Sequence, residues 1–256
     1  MSGSIFSCRG IVKCYEGEDV VSGINLELDE GGLISLVGPS GVGKTTLFNV
    51  LAGVDSPDKG SIFLDGKDIT GISGRVSYMM QKDLLLEYRS VLDNVILPLL
   101  ITGTPKQKAR EYATGFFKRF GLAGYEKKYP RQLSGGMRQR AALLRTCLQN
   151  TQVILLDEPF SALDALTRRT MQDWFQKIMK NENTTLPGGR LLSAVFITHD
   201  VEEAIFLSDK VYVLTGKPGT ISASFNIPAP RPRSRDFSLT PGFAELKRAI
   251  LEAIGV

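Results

Sequence analysis

The residues with the clearest chemical potential lie in one glycine-rich run. Residues 38–45 read Gly-Pro-Ser-Gly-Val-Gly-Lys-Thr and fit the pattern G-x-x-x-x-G-K-[ST]. They follow an apolar stretch, residues 33–37, and open an amphipathic segment, residues 46–52, so the run joins a predicted strand to a predicted helix. A plain glycine-rich turn in this place would not need Lys44 and Thr45 at the helix start. The pattern therefore predicts a loop that binds nucleotide phosphates.

Each part of this phosphate loop has a physical reason. Glycines let the backbone curl until successive N–H groups converge on phosphate oxygens, and the helix N-terminus adds partial positive charge. We expect Lys44 to contact the β- and γ-phosphates and Thr45 to place its hydroxyl on Mg²⁺. The predicted nucleotide-binding residues of the loop are Gly38, Pro39, Ser40, Gly41, Val42, Gly43, Lys44, Thr45 and Thr46. By itself the loop predicts nucleotide binding and no particular reaction.

Two adjacent carboxylates follow a second apolar run. Asp157 and Glu158 end the stretch that begins at Val153, which has the character of a strand buried on both faces of a parallel sheet. Ligands of open α/β sheets bind at the carboxyl ends of such strands. Asp157 there can hold Mg²⁺ and Glu158 can polarise an attacking water. Either residue alone could equally begin an ordinary loop, but beside a phosphate loop the paired interpretation is much stronger.

A second helix start and a single histidine narrow the function further. Ser134, Gly135 and Gly136 precede a helix predicted over residues 138–148, which makes a second anion-binding terminus. A small-molecule kinase needs only one such terminus, whereas an ATPase that closes as a dimer needs two. His199 is the only histidine of the chain and follows a predicted strand, residues 194–198. A lone histidine is more often structural, and only its place in the order of features indicates a catalytic role.

That order is the phosphate loop, Gln81, residues 133–137, Asp157-Glu158, residues 161–164 and His199. It strongly resembles the nucleotide-binding subunit of ATP-binding cassette (ABC) transporters, over essentially the whole chain. The resemblance implies that Glu158 is the catalytic base, that Gln81 contacts Mg²⁺ and water, and that His199 is the switch histidine. It also implies that Tyr15 stacks on adenine, although from its own stretch Tyr15 is just as well a core or edge aromatic. The implied ATP contacts of the signature and D-loop segments are Ser134, Gly135, Gly136 and Asp164.

The resemblance implies the fold and the activity. The fold is an α/β P-loop NTPase of the ABC type, a single domain over residues 1–256 with an antiparallel β subdomain. A helical subdomain covers about residues 84–150 and a C-terminal extension about residues 216–256. The activity is ATP hydrolysis, with ATP and Mg²⁺ as the cofactors and Lys44 among the catalytic groups.

The resemblance also implies the partners. ATP hydrolysis would energise import of a small solute through a separate integral membrane permease, with an extracytoplasmic solute-binding protein acting indirectly. A second copy of the chain, or a paralogous subunit, would complete a dimer. We expect a cytoplasmic location, peripheral on the inner face of the cell membrane, and no nucleic-acid partner. A soluble cassette ATPase acting on nucleic acid or ribosomes is the main alternative, but such proteins usually carry tandem cassettes or coiled-coil insertions, and the chain has one cassette and no heptad run.

A finer resemblance points to one importer subfamily. Residues 157–168, 217–221 and 231–233 are similar to those of bacterial importers for nitrate, aliphatic sulfonates, taurine and thiamine precursors. Met137 replaces the commoner glutamine, and Glu87-Tyr88-Arg89 stands where a Pro-Trp pair is usual. The connection at residues 181–189 is longer than usual. The transported solute is not readable, because this subunit never touches it.

Composition agrees with this interpretation. In 256 residues, 43% are hydrophobic and 23% charged, which is ordinary for a soluble globular protein, and a formal charge of +4 does not demand nucleic acid. The three cysteines lack paired spacing, which indicates a reducing compartment, and no apolar run has the length of a membrane span. Three successive leucines, residues 84–86, follow Gln81. They cannot all face one core from a regular helix, so we predict an apolar docking surface for the permease at residues 81–88.

Overall fold

The computed structural model of the chain describes residues 4–149, 151–180 and 191–255. The strands are β1 (Ser4–Tyr15), β2 (Glu18–Asp29), β3 (Leu33–Val37), β4 (Lys59–Leu64), β5 (Lys67–Asp68), β6 (Ser77–Met79), β7 (Val153–Asp157), β8 (Ser193–Ile197), β9 (Lys210–Thr215) and β10 (Thr220–Asn226). The helices are α1 (Lys44–Leu51), α2 (Val91–Val95), α3 (Leu97–Ile101), α4 (Lys106–Phe117), α5 (Gly135–Cys147), α6 (Ala165–Lys180), α7 (Val201–Leu207) and α8 (Pro241–Ile254), with short 3₁₀ turns at Pro130–Gln132 and Arg235–Leu239. The predicted long connection at residues 181–189 lies outside the described residues.

A six-stranded sheet carries the phosphate loop near its centre. Its strand order is β10-β9-β3-β8-β7-β6, and all neighbours are parallel except the β9–β10 hairpin. Every residue of β3, β7 and β8 is buried, as expected for parallel strands covered on both faces. The segments that follow β3, β6, β7 and β8 therefore meet at one edge of the sheet.

A second, antiparallel sheet packs on the first through helix α1. Its order is β2-β1-β4-β5. Leu47 and Phe48 of α1 are fully buried in a core that includes side chains of both sheets. The helix that begins at the phosphate loop is thus fixed from two sides. Together with the helical segments, this arrangement confirms the predicted α/β fold class.

The helical segments share a second core with one face of the six-stranded sheet. Phe117, Phe120 and Leu144 are fully buried there, in a cluster that also includes side chains of α2 and α6. Helix α5 begins at Gly135, whereas the sequence placed its start at residue 138. The difference arises because Ser134 Oγ accepts a hydrogen bond from the Met137 N–H at 3.3 Å and so caps the helix earlier. Among the helices of the described residues, none combines the length and apolar character needed to cross a bilayer.

The three leucines after Gln81 lie in an irregular loop, not in a helix. Leu85 is 7% exposed and belongs to the helical core, Leu84 is 53% exposed, and Leu86 is half-buried. Asn94 of α2 is fully buried and fastens this loop. Its side chain accepts from the Leu86 N–H at 2.7 Å and donates to the Leu86 carbonyl at 3.0 Å.

We expect Asn94→Leu to lower the free energy of unfolding by about 2–3 kcal/mol, because it leaves loop backbone groups without partners beside a buried site. The change is measured by urea unfolding followed through the fluorescence of Trp174, the only tryptophan. Gln107→Leu, on exposed α4 surface, is the control and should shift stability by less than about 0.5 kcal/mol. Equal stability of both variants would contradict the assigned role of Asn94.

Candidate active site

The phosphate loop is shaped by glycines that no other residue can replace. Gly43 has φ 100°, and a Cβ there would lie 2.6 Å from Val21 Cγ1. A Cβ on Gly38 would lie 2.1 Å from the Leu214 carbonyl oxygen. The loop is therefore pressed against β2 and β9, which fixes the direction of its backbone N–H groups.

Lys44 lies inside this loop. Its Nζ donates to the carbonyl oxygens of Gly38 at 2.7 Å and Pro39 at 2.8 Å, and the residue is only 8% exposed. Burial lowers the pKa of Lys44, while the nearby Glu158 and Asp157 carboxylates act in the opposite direction. A phosphate group on the loop would give this ammonium an anionic partner in place of neutral carbonyls. The cradle thus fits a nucleotide phosphate.

Asp157 lies opposite, at the end of β7. It is 5% exposed, and its Oδ2 accepts from Thr45 Oγ1 at 3.3 Å and from the Tyr78 hydroxyl at 3.4 Å. Burial raises the pKa of Asp157, and burial beside this carboxylate raises the pKa of Tyr78. Mg²⁺ takes only a few ligands from the protein when phosphates supply the others. The Thr45 hydroxyl and the Asp157 carboxylate oxygen lie side by side and fit that role.

Tyr78 is a site residue that the sequence did not single out. It lies on β6, which pairs with β7 so that Tyr78 faces Leu155 in register. Residues 76–80 have the apolar character of a strand, but the position of β6 beside the Asp157 strand could not be predicted, because the order of parallel strands is not encoded locally.

Glu158 is the point at which three segments converge. Gln81 Nε2 donates to Glu158 Oε2 at 3.1 Å, and His199 Nδ1 lies 3.3 Å from Glu158 Oε1. Glu158 has φ 46°, in the left-handed region that a glutamate adopts only under constraint from its surroundings. Its own N–H donates to the Ile197 carbonyl at 3.0 Å, which ties the turn to β8. The carboxylate therefore has a polar side chain beside each of its two oxygens.

A cavity of about 550 Å³ brings most of the predicted residues together. It is lined by Val20, Ser40, Gly41, Gly43, Lys44, Thr45, Thr46, Gln81, Asp157, Glu158, Ile197 and His199. Val20 and Ile197 had not been predicted, since apolar strand residues carry no chemical signal. Three predicted loop residues do not line it: Gly38 and Pro39 instead hold Lys44 through their carbonyls, and Val42 is buried in the core.

Tyr15, expected at the adenine, is not among the residues that line this cavity. It ends β1 with 43% exposure. Its hydroxyl donates to Asp55, and Lys13 Nζ lies 5.0 Å from the centre of its ring. An adenine ring could stack only on a face that Lys13 leaves open.

The second predicted anion site is separate from the first. Ser134 and Gly136 line a cleft of about 470 Å³ with Leu166 and Thr167, and this cleft shares no residue with the Lys44 cavity. Asp164 is exposed, and its Oδ1 accepts from the backbone N–H groups of Leu166 and Thr167 and so caps α6 of its own chain. Within one chain, the two predicted ATP-binding surfaces do not meet.

Comparison with known proteins decides the family. A family model described as ABC transporter matches residues 21–161. The chain belongs to the ABC transporter family. An uncharacterised ABC transporter ATP-binding protein of Methanocaldococcus jannaschii is 42% identical over 90% of this chain and 82% of its own length. The formylaminopyrimidine import ATP-binding protein of Halalkalibacterium halodurans is 41% identical, covering 78% of this chain and 74% of its own.

A further relative and two solved structures agree. The aliphatic sulfonates import ATP-binding protein of Bacillus cereus is 36% identical over 91% of this chain and 87% of its own. A dimeric ATP-binding cassette in a post-hydrolysis state, bound to ADP and Pi, superposes with a TM-score of 0.72 at 26% identity, covering 88% of this chain and 99% of that one. The cbiO1 chain of Clostridium perfringens, part of the ABC transporter complex cbiONQ, shares the fold with a TM-score of 0.78 at 22% identity, over 98% of this chain and 95% of that one. The chain is an ATP-binding ABC ATPase, which confirms the predicted family and enzyme class.

We expect Glu158→Gln to keep nucleotide binding but to lower steady-state ATP hydrolysis by about two orders of magnitude or more, because it removes the general base and leaves the phosphate loop intact. Lys44→Ala is the contrasting variant and should weaken nucleotide binding itself. Hydrolysis is followed by phosphate release, and binding by a fluorescent ATP analogue. Near wild-type hydrolysis by Glu158→Gln would remove Glu158 from the mechanism.

Proposed function

We propose that the chain is the ATP-hydrolysing subunit of an importer and that it drives a separate integral membrane permease from the cytoplasmic side of the membrane. The observation that carries the catalytic part is the convergence of Gln81, Glu158 and His199 beside the Lys44 cavity. The importer part is supported by the names of relatives, which act in import of formylaminopyrimidine and aliphatic sulfonates. The cargo would be a small solute of the nitrate, sulfonate, taurine or thiamine-precursor kind, delivered by an extracytoplasmic solute-binding protein.

The residues of the cavity divide the chemistry among them. The phosphate-loop N–H groups and Lys44 would bind the β- and γ-phosphates, and Thr45, Asp157 and Gln81 would hold Mg²⁺. Bound Mg²⁺ supplies charge neutralisation at the phosphates. Glu158 accepts the proton of the attacking water, and its carboxylate is aimed for that task by the left-handed turn at residue 158. His199, at the far oxygen of Glu158, orients the water and the γ-phosphate in line.

The separation of the two clefts supports a dimer as the active form. Ser134, Gly135 and Gly136 present a capped helix start away from their own phosphate loop. A second copy, or a paralogous subunit, would bring this helix start to the ATP held by the first chain. Asp164, which caps α6 in its own chain, would lie at the same contact. Dimeric cassettes among the solved relatives support this arrangement.

We expect a mixture of Ser134→Arg chains and Glu158→Gln chains to hydrolyse ATP faster than either variant alone. In the mixed dimer one site would carry both lesions and the other neither, so a single intact site is restored. The rate is measured after the two purified variants are combined at equal concentration, with each variant mixed with itself as the control. A mixed rate equal to the mean of the two parents would count against a site shared between chains.

The permease would dock beside Gln81. Of the three leucines, Leu85 takes no part in this surface, since it is 7% exposed and belongs to the core. Leu84, 53% exposed, and Tyr88, 75% exposed, are the apolar side chains of the segment that remain open to a partner. Contact there would connect permease movement to Gln81 and through it to Glu158.

We expect Leu84→Glu and Tyr88→Glu to abolish co-purification with the permease and to leave the ATPase rate of the isolated subunit within about twofold, because both side chains are exposed and outside the cavity. Leu239→Glu, at a leucine that is 83% exposed on the C-terminal segment, is the matched control and should assemble normally. Full assembly of both charged variants would exclude this docking surface.

A further inference from the structure

The cluster of Arg231, Arg233 and Arg235 has no part in the chemistry described so far. We call residues 231–235 the arginine strap. It follows β10 and leads into α8. Arg231 binds the Asp209 carboxylate through Nε at 2.7 Å and Nη2 at 2.8 Å, and the Gly31 carbonyl at 2.9 Å. These contacts lie outside α6 and α7.

Arg233 binds backbone carbonyls at the C-terminal end of α7. Its Nη1 donates to the carbonyl oxygens of Ile205 at 2.9 Å, Phe206 at 3.1 Å and Ser208 at 2.8 Å. The residue is 6% exposed, and its charge faces the negative end of the helix dipole. Burial lowers the pKa of Arg233 to about 10, so the guanidinium stays charged at neutral pH.

The main chain of the strap is bound to α6 at the same position. The Arg233 N–H donates to Gln176 Oε1 at 2.7 Å, and Gln176 Nε2 donates back to the Arg233 carbonyl at 3.4 Å. Gln176 is itself 2% exposed. One residue of the strap therefore holds the middle of α6 with its backbone and the end of α7 with its side chain.

Arg235 makes a second connection between the same two helices. It donates to Gln172 Oε1 at 3.2 Å and pairs with Asp173 at 2.9 Å, both on α6, while its guanidinium lies 4.1 Å from the centre of the Phe206 ring on α7. Gln172 Nε2 in turn donates to Glu203 Oε1 of α7 at 2.7 Å. The strap and the two helices thus form one polar network under α7.

Helix α7 begins next to the active site. Asp200 caps it by accepting from the Glu203 N–H at 3.1 Å, and the Asp200 N–H donates to Thr198 Oγ1 at 3.0 Å. His199 lies between Thr198 and Asp200. Because α7 has only seven residues, a displacement of its far end is transmitted to its first turn. The place of the imidazole beside Glu158 depends on where α7 is held.

We propose that two residues of the arginine strap, Arg233 and Arg235, position His199. They act as positioning residues by holding α7 against α6. The inference rests on the proposed catalytic role of His199. None of the contacts that the arginines of the strap make is with a residue that lines the Lys44 cavity. The effect of the strap on turnover is exerted entirely through the orientation of α7.

The first test is kinetic and uses the full chain. We expect Arg233→Gln and Arg235→Gln to lower kcat for ATP about tenfold with KM within about twofold, since small misplacement of a catalytic group lowers the chemical step more than binding. Arg231→Gln, the same change in the same segment without a contact to α6 or α7, should leave kcat within about twofold. Arg235 is the safer variant for folding, since its side chain is 38% exposed. A change in KM with kcat unaltered would overturn the proposal. So would a loss of kcat in Arg231→Gln equal to that in Arg233→Gln and Arg235→Gln.

The second test does not need activity. His199 is the only histidine, so its imidazole signals in an NMR spectrum of the labelled protein need no assignment. We expect these signals to move in Arg233→Gln and Arg235→Gln and to stay in place in Arg231→Gln. Unmoved signals in the first two variants, with lowered kcat, would show that the strap acts elsewhere and would reject the inference.

A double-variant measurement separates this inference from the proposed function. In single-turnover hydrolysis by His199→Ala, adding Arg235→Gln should lower the residual rate less than twofold, because the two changes act through the same group. A full tenfold further loss would contradict positioning through His199. Wild-type turnover by His199→Ala alone would instead contradict the proposed function, while the NMR comparison would still decide whether the strap orients the imidazole.

Discussion

The neighbours of one carboxylate set the geometry on which the rest of the site depends. Glu158 meets Gln81 at one oxygen and His199 at the other, at 3.1 and 3.3 Å. The three side chains follow β6, β7 and β8, so the register of three parallel strands has to be correct before the carboxylate has its partners. The buried charges of Lys44 and Asp157 add a second constraint, because each is placed where burial disfavours its charged form and a phosphate or a cation would favour it.

The phosphate loop could be predicted from the sequence because its geometry is local. A close approach of backbone to Leu214 and a left-handed turn at Gly43 demand glycines at fixed spacing, and the lysine and threonine follow directly in the chain. The joint role of the adjacent carboxylates Asp157 and Glu158 could be predicted for the same reason, since both come at the end of an apolar strand. The order of the distant features then carried the family resemblance, and the resemblance supplied the roles of Gln81, Glu158 and His199, which local physics does not give.

Other parts of the structure could not be predicted from the sequence, because they depend on long-range packing. Tyr78 reaches Asp157 only because β6 and β7 are neighbours in the sheet. Leu85 is buried and Leu84 exposed because Asn94 holds their loop in an irregular path that no periodicity describes. The contacts of Arg233 at the end of α7 are with backbone carbonyls 25 to 28 residues away, which leave no pattern of paired side chains in the sequence. The start of α5 was misplaced by three residues because the cap at Ser134 recruits two glycines into the helix.

The arginine strap lies far beyond the last residue, 161, that matches the family pattern. His199 and α7 also lie beyond it, so the residues proposed to position the histidine are not among those that the family model matches. Variation in that segment would alter, through His199, how fast ATP is turned over while the residues of the phosphate loop and the Asp157–Glu158 pair stay the same. Two subunits with identical motif residues would then differ in their rate of ATP turnover. The difference would lie in a stretch of arginines and prolines that a search for catalytic residues does not cover.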